Sequence, residues 1–239
     1  MDFSRWARPA CVAQVGGFRP PPDPLASWFG RVRVARPGEG WPTTDGAPML
    51  ALAQLNLREL PCRPPAALAG VALLTLFLGP WQFPVEEPNG VNWALRAYPS
   101  LDDLVPLEEP TPASAGDPKL RNGQDLTLRP FPIRWQERLD LPCRDDIPAE
   151  LLDAWDAWAQ DRGAAELTFD GTKIGGWPYC TQSQVQWRTG GRLVEDCQYV
   201  LQLGSEHKAG LSWGYQGLGY VARQPGRGAD GWHLTWQSL

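Results

Sequence analysis

One short pattern in the sequence is typical of a nucleophilic serine. Residues 210–214 read Gly-Leu-Ser-Trp-Gly, and the Gly-x-Ser-x-Gly turn exposes a serine between a strand and a helix in one large class of hydrolases. Asp230 and His233 follow Ser212 in the order that a serine–acid–histidine set would use. Only 27 residues follow Ser212, however, and the stretch directly after it is glycine-rich and strand-like. A hydrolase that uses Ser212 is therefore an alternative, and a tight β-hairpin is the favoured interpretation.

A second glycine-rich stretch, residues 172–179, has the composition of a phosphate-binding loop but not its spacing. In such loops the lysine follows the glycines, whereas Lys173 precedes both of them here. Two glycines followed by Trp-Pro are typical instead of a turn or bulge whose exit is fixed by the proline. Residues 15–18, Val-Gly-Gly-Phe, are interpreted as the same device in the other half of the chain. The residues predicted to have this structural role are Gly16, Gly17, Gly175, Gly176, Trp177 and Pro178.

The sequence predicts neither a metal site nor a cofactor site. Its two histidines, His207 and His233, have no short ligand spacing, and its five cysteines form no Cys-x-x-Cys pair. Acidic residues are numerous, but no pair of them stands out as a general acid and base. We therefore expect no catalytic residue, and the protein is predicted not to be an enzyme. The cysteines are interpreted as reduced thiols of a cytoplasmic protein: Cys11, Cys62, Cys143, Cys180 and Cys197.

Charge is unevenly distributed along the chain. The net charge at neutral pH is −5, but residues 101–170 carry 16 acids and 7 bases, a net charge of −9, and the remaining residues carry +4. Such an acidic region repels nucleic acid and attracts a basic protein. The longest apolar run, residues 67–79, is shorter than the roughly 18 residues that a membrane span requires. We expect a basic protein partner, no nucleic acid and no membrane.

The clearest predicted helix, at about residues 148–160, lies within this acidic region. Pro148 suits a first helical turn, and Gly163 suits the stop at the carboxyl end. Apolar residues recur between them with the spacing of a single helix face. The residues of this face, which we expect to point inward, are Leu151, Leu152, Trp155 and Trp158.

The remaining sequence predicts strands in an order that occurs twice. LALAQLNL in the first half and YVLQLGS in the second each carry a central glutamine, Gln54 and Gln202, and each is followed by another strand pattern. We therefore predict a β-rich α+β fold of two related β-units, an internal duplication, with a few short helices. The predicted single domain covers residues 1–239, with units at about 1–100 and 165–239 joined by an acidic loop and helix segment, 101–164.

Several segments together resemble the YwqG-like family of bacterial proteins. KIGGWP (173–178), YVLQLGSE (199–206), SWGYQGLGYV (212–221) and GWHLTWQ (231–237) occur in the order typical of that family. In the first half, residues 38–61 followed by residues 68–78 are similar to its first glutamine-bearing strand and the strand after it. The resemblance implies a β-rich α+β fold made from a duplicated unit. It also implies a role, because some relatives resemble immunity proteins encoded beside secreted antibacterial toxins.

The resemblance and the acidic region together favour an immunity protein that binds and neutralises a cognate secreted toxin, for example a basic nuclease. Acidic rim residues would steer a basic partner, and an aromatic anchor, Trp81 or Trp93, would supply the tight contact. A small-ligand-binding module with aromatic walls between the two units is the other alternative. The residues predicted to contact the toxin are Glu86, Glu87, Trp93, Glu108, Glu109, Asp145, Asp146, Asp153 and Asp156.

Overall fold

The fold is that of a computed structural model and is described over residues 2–110, 127–162 and 168–239. Its strands are β1 (Arg8–Val15), β2 (Trp28–Phe29), β3 (Val34–Ala35), β4 (Thr43–Thr44), β5 (Ala47–Pro48), β6 (Leu50–Asn56), β7 (Leu73–Leu78), β8 (Trp93–Tyr98), β9 (Val105–Pro106), β10 (Phe131–Asp140), β11 (Lys173–Gly175), β12 (Arg188–Thr189), β13 (Arg192–Leu193), β14 (Gln198–Gly204), β15 (Leu218–Arg223) and β16 (Trp232–Gln237). The main helix, α1, spans Leu152–Arg162. Short 3-10 turns lie at Ser4–Trp6, Leu57–Glu59, Ala66–Leu68, Arg144–Asp146, Ala149–Leu151, His207–Ala209 and Gly228–Gly231.

Ten strands form one antiparallel sheet that is nearly closed into a barrel. Their order is β16-β15-β14-β11-β1-β10-β2-β6-β7-β8. The end strand β16 contacts the loop between β7 and β8 on the other side of the gap, where Trp236 Nε1 donates to the Pro84 carbonyl at 3.0 Å. The backbone amide of Gly190, in the turn between β12 and β13, also donates to the Glu86 carbonyl in this loop at 2.9 Å. This fold confirms the β-rich architecture with short helical turns and one main helix.

The strand assignments around the two glutamines agree with the prediction. β6, β7 and β14 lie where the alternating and apolar runs placed them, and every residue of β7 is buried. Side chains from both halves meet in the main core, for example Leu52 and Leu76 with Leu201 and Val221. A strand that is apolar on both faces is expected where other elements cover both sides of the sheet.

The segment predicted to join the two units is not only loop and helix, and this part of the prediction is wrong. It contains β10, a ten-residue strand at the centre of the sheet, whose residues 133–140 pair with the whole of β1 and whose first two residues pair with β2. The alternation of buried Ile133 and Trp135 with exposed Arg134 and Gln136 explains the strand. The part of the predicted joining segment at residues 111–126 and 163–164 lies outside the described residues.

Gln54 on β6 is held by three hydrogen bonds. Its Nε2 donates to the carbonyl oxygens of Pro24 and Ala26 at 2.8 and 2.9 Å, and its Oε1 accepts from the Arg33 amide at 2.9 Å. The side chain has no exposed surface. A buried glutamine that satisfies loop carbonyls in this way fixes the course of the loop before β2.

Gln202 on β14 repeats this arrangement. Its Nε2 donates to the carbonyls of Phe169 and Gly171 at 3.1 and 2.8 Å, and its Oε1 accepts from the Tyr179 amide at 2.8 Å. It too is fully buried. In both cases the two carbonyls are two residues apart and precede the short strand that pairs with the glutamine strand.

The predicted equivalence of the two Gly-Gly segments is wrong. Gly16 and Gly17 follow β1, whereas Gly175 ends β11, the strand that pairs with the Gln202 strand. The short strand that pairs with the Gln54 strand, on the side of the β1–β10 pair, is β2, and the glycine directly after it is Gly30. Gly30 and Gly175 have similar left-handed φ values of 69° and 77°, a region that favours glycine. The sequence similarity of the Gly-Gly pairs therefore does not reflect equivalent places in the sheet.

Cys11 and Cys62 form a disulfide, so the expectation that all five cysteines are reduced is wrong for this pair. Their Cα atoms lie 6.2 Å apart although 51 residues separate them in the chain. The fold brings the residues after β6 back against β1, a proximity that cysteine spacing does not reveal. Cys143, Cys180 and Cys197 are free thiols.

Candidate functional site

An open cleft of about 460 Å³ lies beside α1. One side is formed by the 3-10 turn Arg144–Asp146 and the start of α1, and the other by residues 182–184. Ile147 is buried and gives the cleft an apolar part, whereas Asp145 is exposed at its rim. The residues that line the cleft are Arg144, Asp145, Ile147, Ala149, Leu152, Gln182, Ser183 and Gln184.

Burial of Trp155 sets the orientation of α1. Trp155 is 4% exposed and packs edge-on against Phe3, with ring centroids 5.1 Å apart. Leu141 and Ile147 complete this small core. With one face of the helix held in this way, Asp153 and Asp156 point into solvent. The helix prediction is confirmed, although its first turn, Ala149–Leu151, is 3-10 rather than α.

Three exposed carboxylates surround Arg144. Its guanidinium makes a two-point contact with Asp156, with Nε–Oδ1 and Nη2–Oδ2 distances of 2.8 and 2.9 Å. This contact raises the pKa of Arg144 and lowers the pKa of Asp156, and Asp145 and Asp153 raise the pKa of Arg144 further. One base among three acids leaves this surface negative. We name it the α1 acidic surface and define it as Asp145, Asp153 and Asp156 together with Glu150.

Asp146 faces inward from the same turn and is half-buried. Burial raises the pKa of its carboxyl group, the neighbouring charge of Asp145 raises it as well, and hydrogen bonds from Gln184 and Cys180 lower it. Arg8 also lowers it, and the Arg8 guanidinium lies 3.3 Å from the ring centroid of Trp177. Asp146 therefore links the turn to the segment on the other side of the cleft instead of pointing at a partner.

A buried ion pair lies beneath these elements. Lys173 Nζ is 2.8 Å from Asp140 Oδ2, and the side chains are 1% and 0% exposed. The Trp177 amide donates to the same oxygen at 2.8 Å. Burial raises the pKa of Asp140 and lowers that of Lys173, and their mutual attraction opposes both shifts. A side chain at Gly176 would collide with the Asp140 carboxylate, so glycine is required there.

The other acids predicted to contact a partner lie elsewhere. Glu86 and Glu87 are half-buried in the turn after β7, where the Glu86 carboxylate accepts a hydrogen bond from the Gly191 amide at 2.8 Å. Glu108 and Glu109 are exposed after β9, the strand that pairs with β3 of the first unit. The structure thus assembles Asp145, Asp153 and Asp156 into one surface, with Asp146 behind it, and does not bring the four glutamates to it.

Trp93 is not available to a partner, and its prediction as a contact residue is wrong. It is fully buried in the main core at the start of β8, and its Nε1 donates to the Glu87 carbonyl at 2.8 Å. The apolar pattern of β8 buries this indole. Trp81, the other predicted anchor, is 40% exposed.

The residues suggested for a hydrolase do not form a catalytic arrangement. Ser212 lies in the loop before β15, so a strand follows it and not the helix that a nucleophile turn requires. Its hydroxyl group donates to the Gly214 carbonyl at 2.5 Å. His233 Nδ1 is 3.0 Å from Thr189 Oγ1, and no contact with Ser212 is found among the described residues. β14 and β15 are antiparallel neighbours joined by residues 205–217, so Ser212 lies in a β-hairpin connection but not in the tight turn that the sequence predicts.

Sequence reasoning missed the part played by Asp140, Lys173, Cys143 and Cys180. One signal was present: Lys173 stands between Thr172 and Ile174 in a short apolar stretch before two glycines, and a lysine in a buried strand needs a partner. Its partner could not be found in the sequence, because Asp140 is 33 residues away at the end of an unrecognised strand. The approach of Cys143 to Cys180 depends on the same strand.

The fold and the cleft together define a β-rich α+β domain built on one nearly closed antiparallel sheet. The chain belongs to a family described as a domain of unknown function, DUF1963, whose model matches residues 29–225. No protein with a curated description matches it. No helix in the described ranges is both long enough and apolar enough to cross a membrane. The resemblance to the YwqG-like family stays a prediction.

Proposed function

We propose that this protein is an immunity protein that neutralises a cognate toxin by covering a basic surface of the toxin with the α1 acidic surface. The observation that carries the proposal is the grouping of Asp145, Asp153 and Asp156 around one arginine at the rim of an open cleft. Exposed charges of one sign raise the rate at which an oppositely charged protein associates.

The cleft suits a basic side chain from the partner. Asp145 at the rim would meet the charged head, and Ile147 and Leu152 would cover the aliphatic stem, since long basic side chains bury their stems on apolar surface. Gln182 and Gln184 on the opposite side offer amide oxygens as further acceptors. An arginine or lysine inserted in this way would occlude the basic site from which it comes.

We also infer that the two β-units are copies of one ancestral unit. The order of strands is symmetric about the β1–β10 pair, and Trp28 opposite Gln54 matches Lys173 opposite Gln202. The matching hydrogen bonds of Gln54 and Gln202 support the same conclusion. On this proposal the acidic surface of the joining segment, with the Asp140–Lys173 pair beneath it, is a feature that was added beside the second unit alone.

The proposed function is tested by protection. Cells expressing the toxin encoded in the adjacent reading frame are supplied with the wild-type protein or with an Asp145→Lys/Glu150→Lys/Asp153→Lys variant, whose three changes lie on the α1 acidic surface. Wild type is expected to restore growth and the variant to fail. The matched control, Asp102→Lys/Asp103→Lys/Glu109→Lys, changes the net charge equally at residues on either side of β9 and is expected to protect. Full protection by both variants, or none by wild type, would overturn the proposal.

A further inference from the structure

Two of the free cysteines, Cys143 and Cys180, lie together beside the cleft. The Cys180 amide donates to Cys143 Sγ at 3.1 Å. Both sulfurs contact the same carbonyl oxygen, that of Pro178, at 3.6 Å for Cys143 and 3.9 Å for Cys180. Cys143 follows β10 and Cys180 follows β11, so two separate segments of chain meet at this pair of thiols.

The surroundings make the two thiols unequal. A hydrogen bond from the Cys180 thiol lowers the pKa of Cys143, as do the Cys180 amide and the charge of Lys173, whereas burial and Asp146 oppose this shift. The pKa of Cys180 is raised, first because it acts as the donor to Cys143 and then through burial. Because the thiolate is the reactive form, Cys143 is the better nucleophile of the pair and Cys180 keeps its proton.

We propose that Cys143 and Cys180 form a peroxide-reactive dithiol, in which Cys143 is the attacking sulfur and Cys180 resolves the product as a disulfide. The Cys143 thiolate attacks one oxygen of hydrogen peroxide, the O–O bond breaks, and the released hydroxide takes up a proton to form water. Cys143 is thereby oxidised by two electrons to a sulfenic acid. Cys180 then attacks the Cys143 sulfur, the S–O bond breaks, and the thiol proton leaves with the hydroxyl group as a second water molecule.

The positions of neighbouring groups suit the second step. Asp146 Oδ2 lies 3.9 Å from Cys180 Sγ. At this position the carboxylate can act as a base that accepts the thiol proton and passes it to the departing hydroxyl group. The third free cysteine, Cys197, lacks this setting: burial and the charge of Asp196 raise its pKa to about 11. The disulfide would tie residues on the two sides of the cleft, next to Arg144 and Gln182.

The experiment treats the full-length protein with one equivalent of hydrogen peroxide, blocks the remaining thiols, and maps disulfide-linked peptides by mass spectrometry over time. We expect a Cys143–Cys180 peptide to form about ten-fold or more faster than Cys197 is oxidised, in line with the difference in thiolate fraction. In a Cys180→Ser variant, Cys143 should accumulate as a sulfenic acid that a dimedone probe captures. A Cys197→Ser variant, the matched control, should form the linked peptide at the wild-type rate.

Two results would overturn this proposal. One is oxidation of Cys143 no faster than that of Cys197 in the wild-type protein, a measurement that needs no variant. The other is direct conversion of Cys143 to sulfinic acid in the wild-type protein without a Cys143–Cys180 peptide, because that would show that Cys180 does not resolve the intermediate.

Discussion

The ammonium group of Lys173 lies 2.8 Å from the Asp140 carboxylate in a place that solvent does not reach. Lys173 begins β11 and Asp140 ends β10, so this contact joins the two strands from which both sides of the cleft arise. The Arg144–Asp146 turn begins four residues after Asp140, and the Trp177 amide donates to the same Asp140 carboxylate oxygen as Lys173 does. The position of the α1 acidic surface relative to residues 182–184 therefore depends on a buried charge pair.

Removal of one partner of this pair should destabilise the protein strongly. A Lys173→Met variant would leave the Asp140 carboxylate buried without a counter-charge, and we expect a loss of about 3–5 kcal/mol in the free energy of unfolding. Urea unfolding at neutral pH measures this loss. A Lys173→Met/Asp140→Asn variant should recover most of it, because neither charge is then buried and a side-chain oxygen still accepts from the Trp177 amide. A single variant as stable as wild type would contradict this account of the pair.

The core beneath α1 should depend on Trp155. Because the indole is buried against Phe3, a Trp155→Ala variant is expected to lose about 3–5 kcal/mol of stability. Trp81 is 40% exposed and is the matched control, with an expected loss below about 1 kcal/mol. Denaturant unfolding of the two variants checks this difference, and equal unfolding midpoints would mean that Trp155 does not hold the helix.

The two glutamines should make similar contributions to stability. A Gln54→Ala or Gln202→Ala change leaves two carbonyls and one amide without their partner, and a loss of about 3–6 kcal/mol is expected for each. Gln136, exposed on β10, is the control, and its alanine variant should remain close to wild type. A large loss at one glutamine and almost none at the other would show that the two sites are not equivalent.

The fold and the site differ in how far the sequence predicts them. Alternation and apolar runs around Gln54 and Gln202 predict their strands, because each strand carries its own pattern of burial. The helix at Trp155 is predicted for the same reason. β10 was missed because Arg134, Gln136 and Arg138 make it look like part of a charged linker, and only its long pairing with β1 shows its place in the sheet.

The site depends on contacts between segments that are distant in sequence. Asp145 and Asp153 could be named as candidates from local charge, but their grouping around Arg144 requires the turn that precedes α1. Trp93 was misassigned because the sequence alone does not distinguish a buried indole from an exposed one. Lys173 and Asp140 could not be paired, since no local pattern links residues that meet only across the sheet.

Asp146 should make stability depend on pH in a definite direction. Burial, the largest cause, raises the pKa of its carboxyl group in the folded state, so the folded protein holds this proton more tightly than the unfolded chain. The stability that this group contributes is present below its unfolded pKa and is lost as pH rises through its folded pKa. An Asp146→Asn variant should therefore gain stability relative to wild type as pH rises from about 4 to 7. Unfolding free energies measured across this range, with Asp153→Asn as the baseline, check the sign. An Asp146→Asn variant that gains stability relative to wild type as pH falls would contradict this prediction.

The most direct test of the central claim uses the product of the adjacent reading frame, where the proposal expects the toxin. Its rate constant for association is measured by surface plasmon resonance at several salt concentrations. We predict that Asp145→Lys/Glu150→Lys/Asp153→Lys slows association by about ten-fold or more at low salt and flattens its salt dependence. The control, Asp102→Lys/Asp103→Lys/Glu109→Lys, should retain most of the wild-type rate. Equal association rates for both variants and wild type would show that the α1 acidic surface does not meet the toxin.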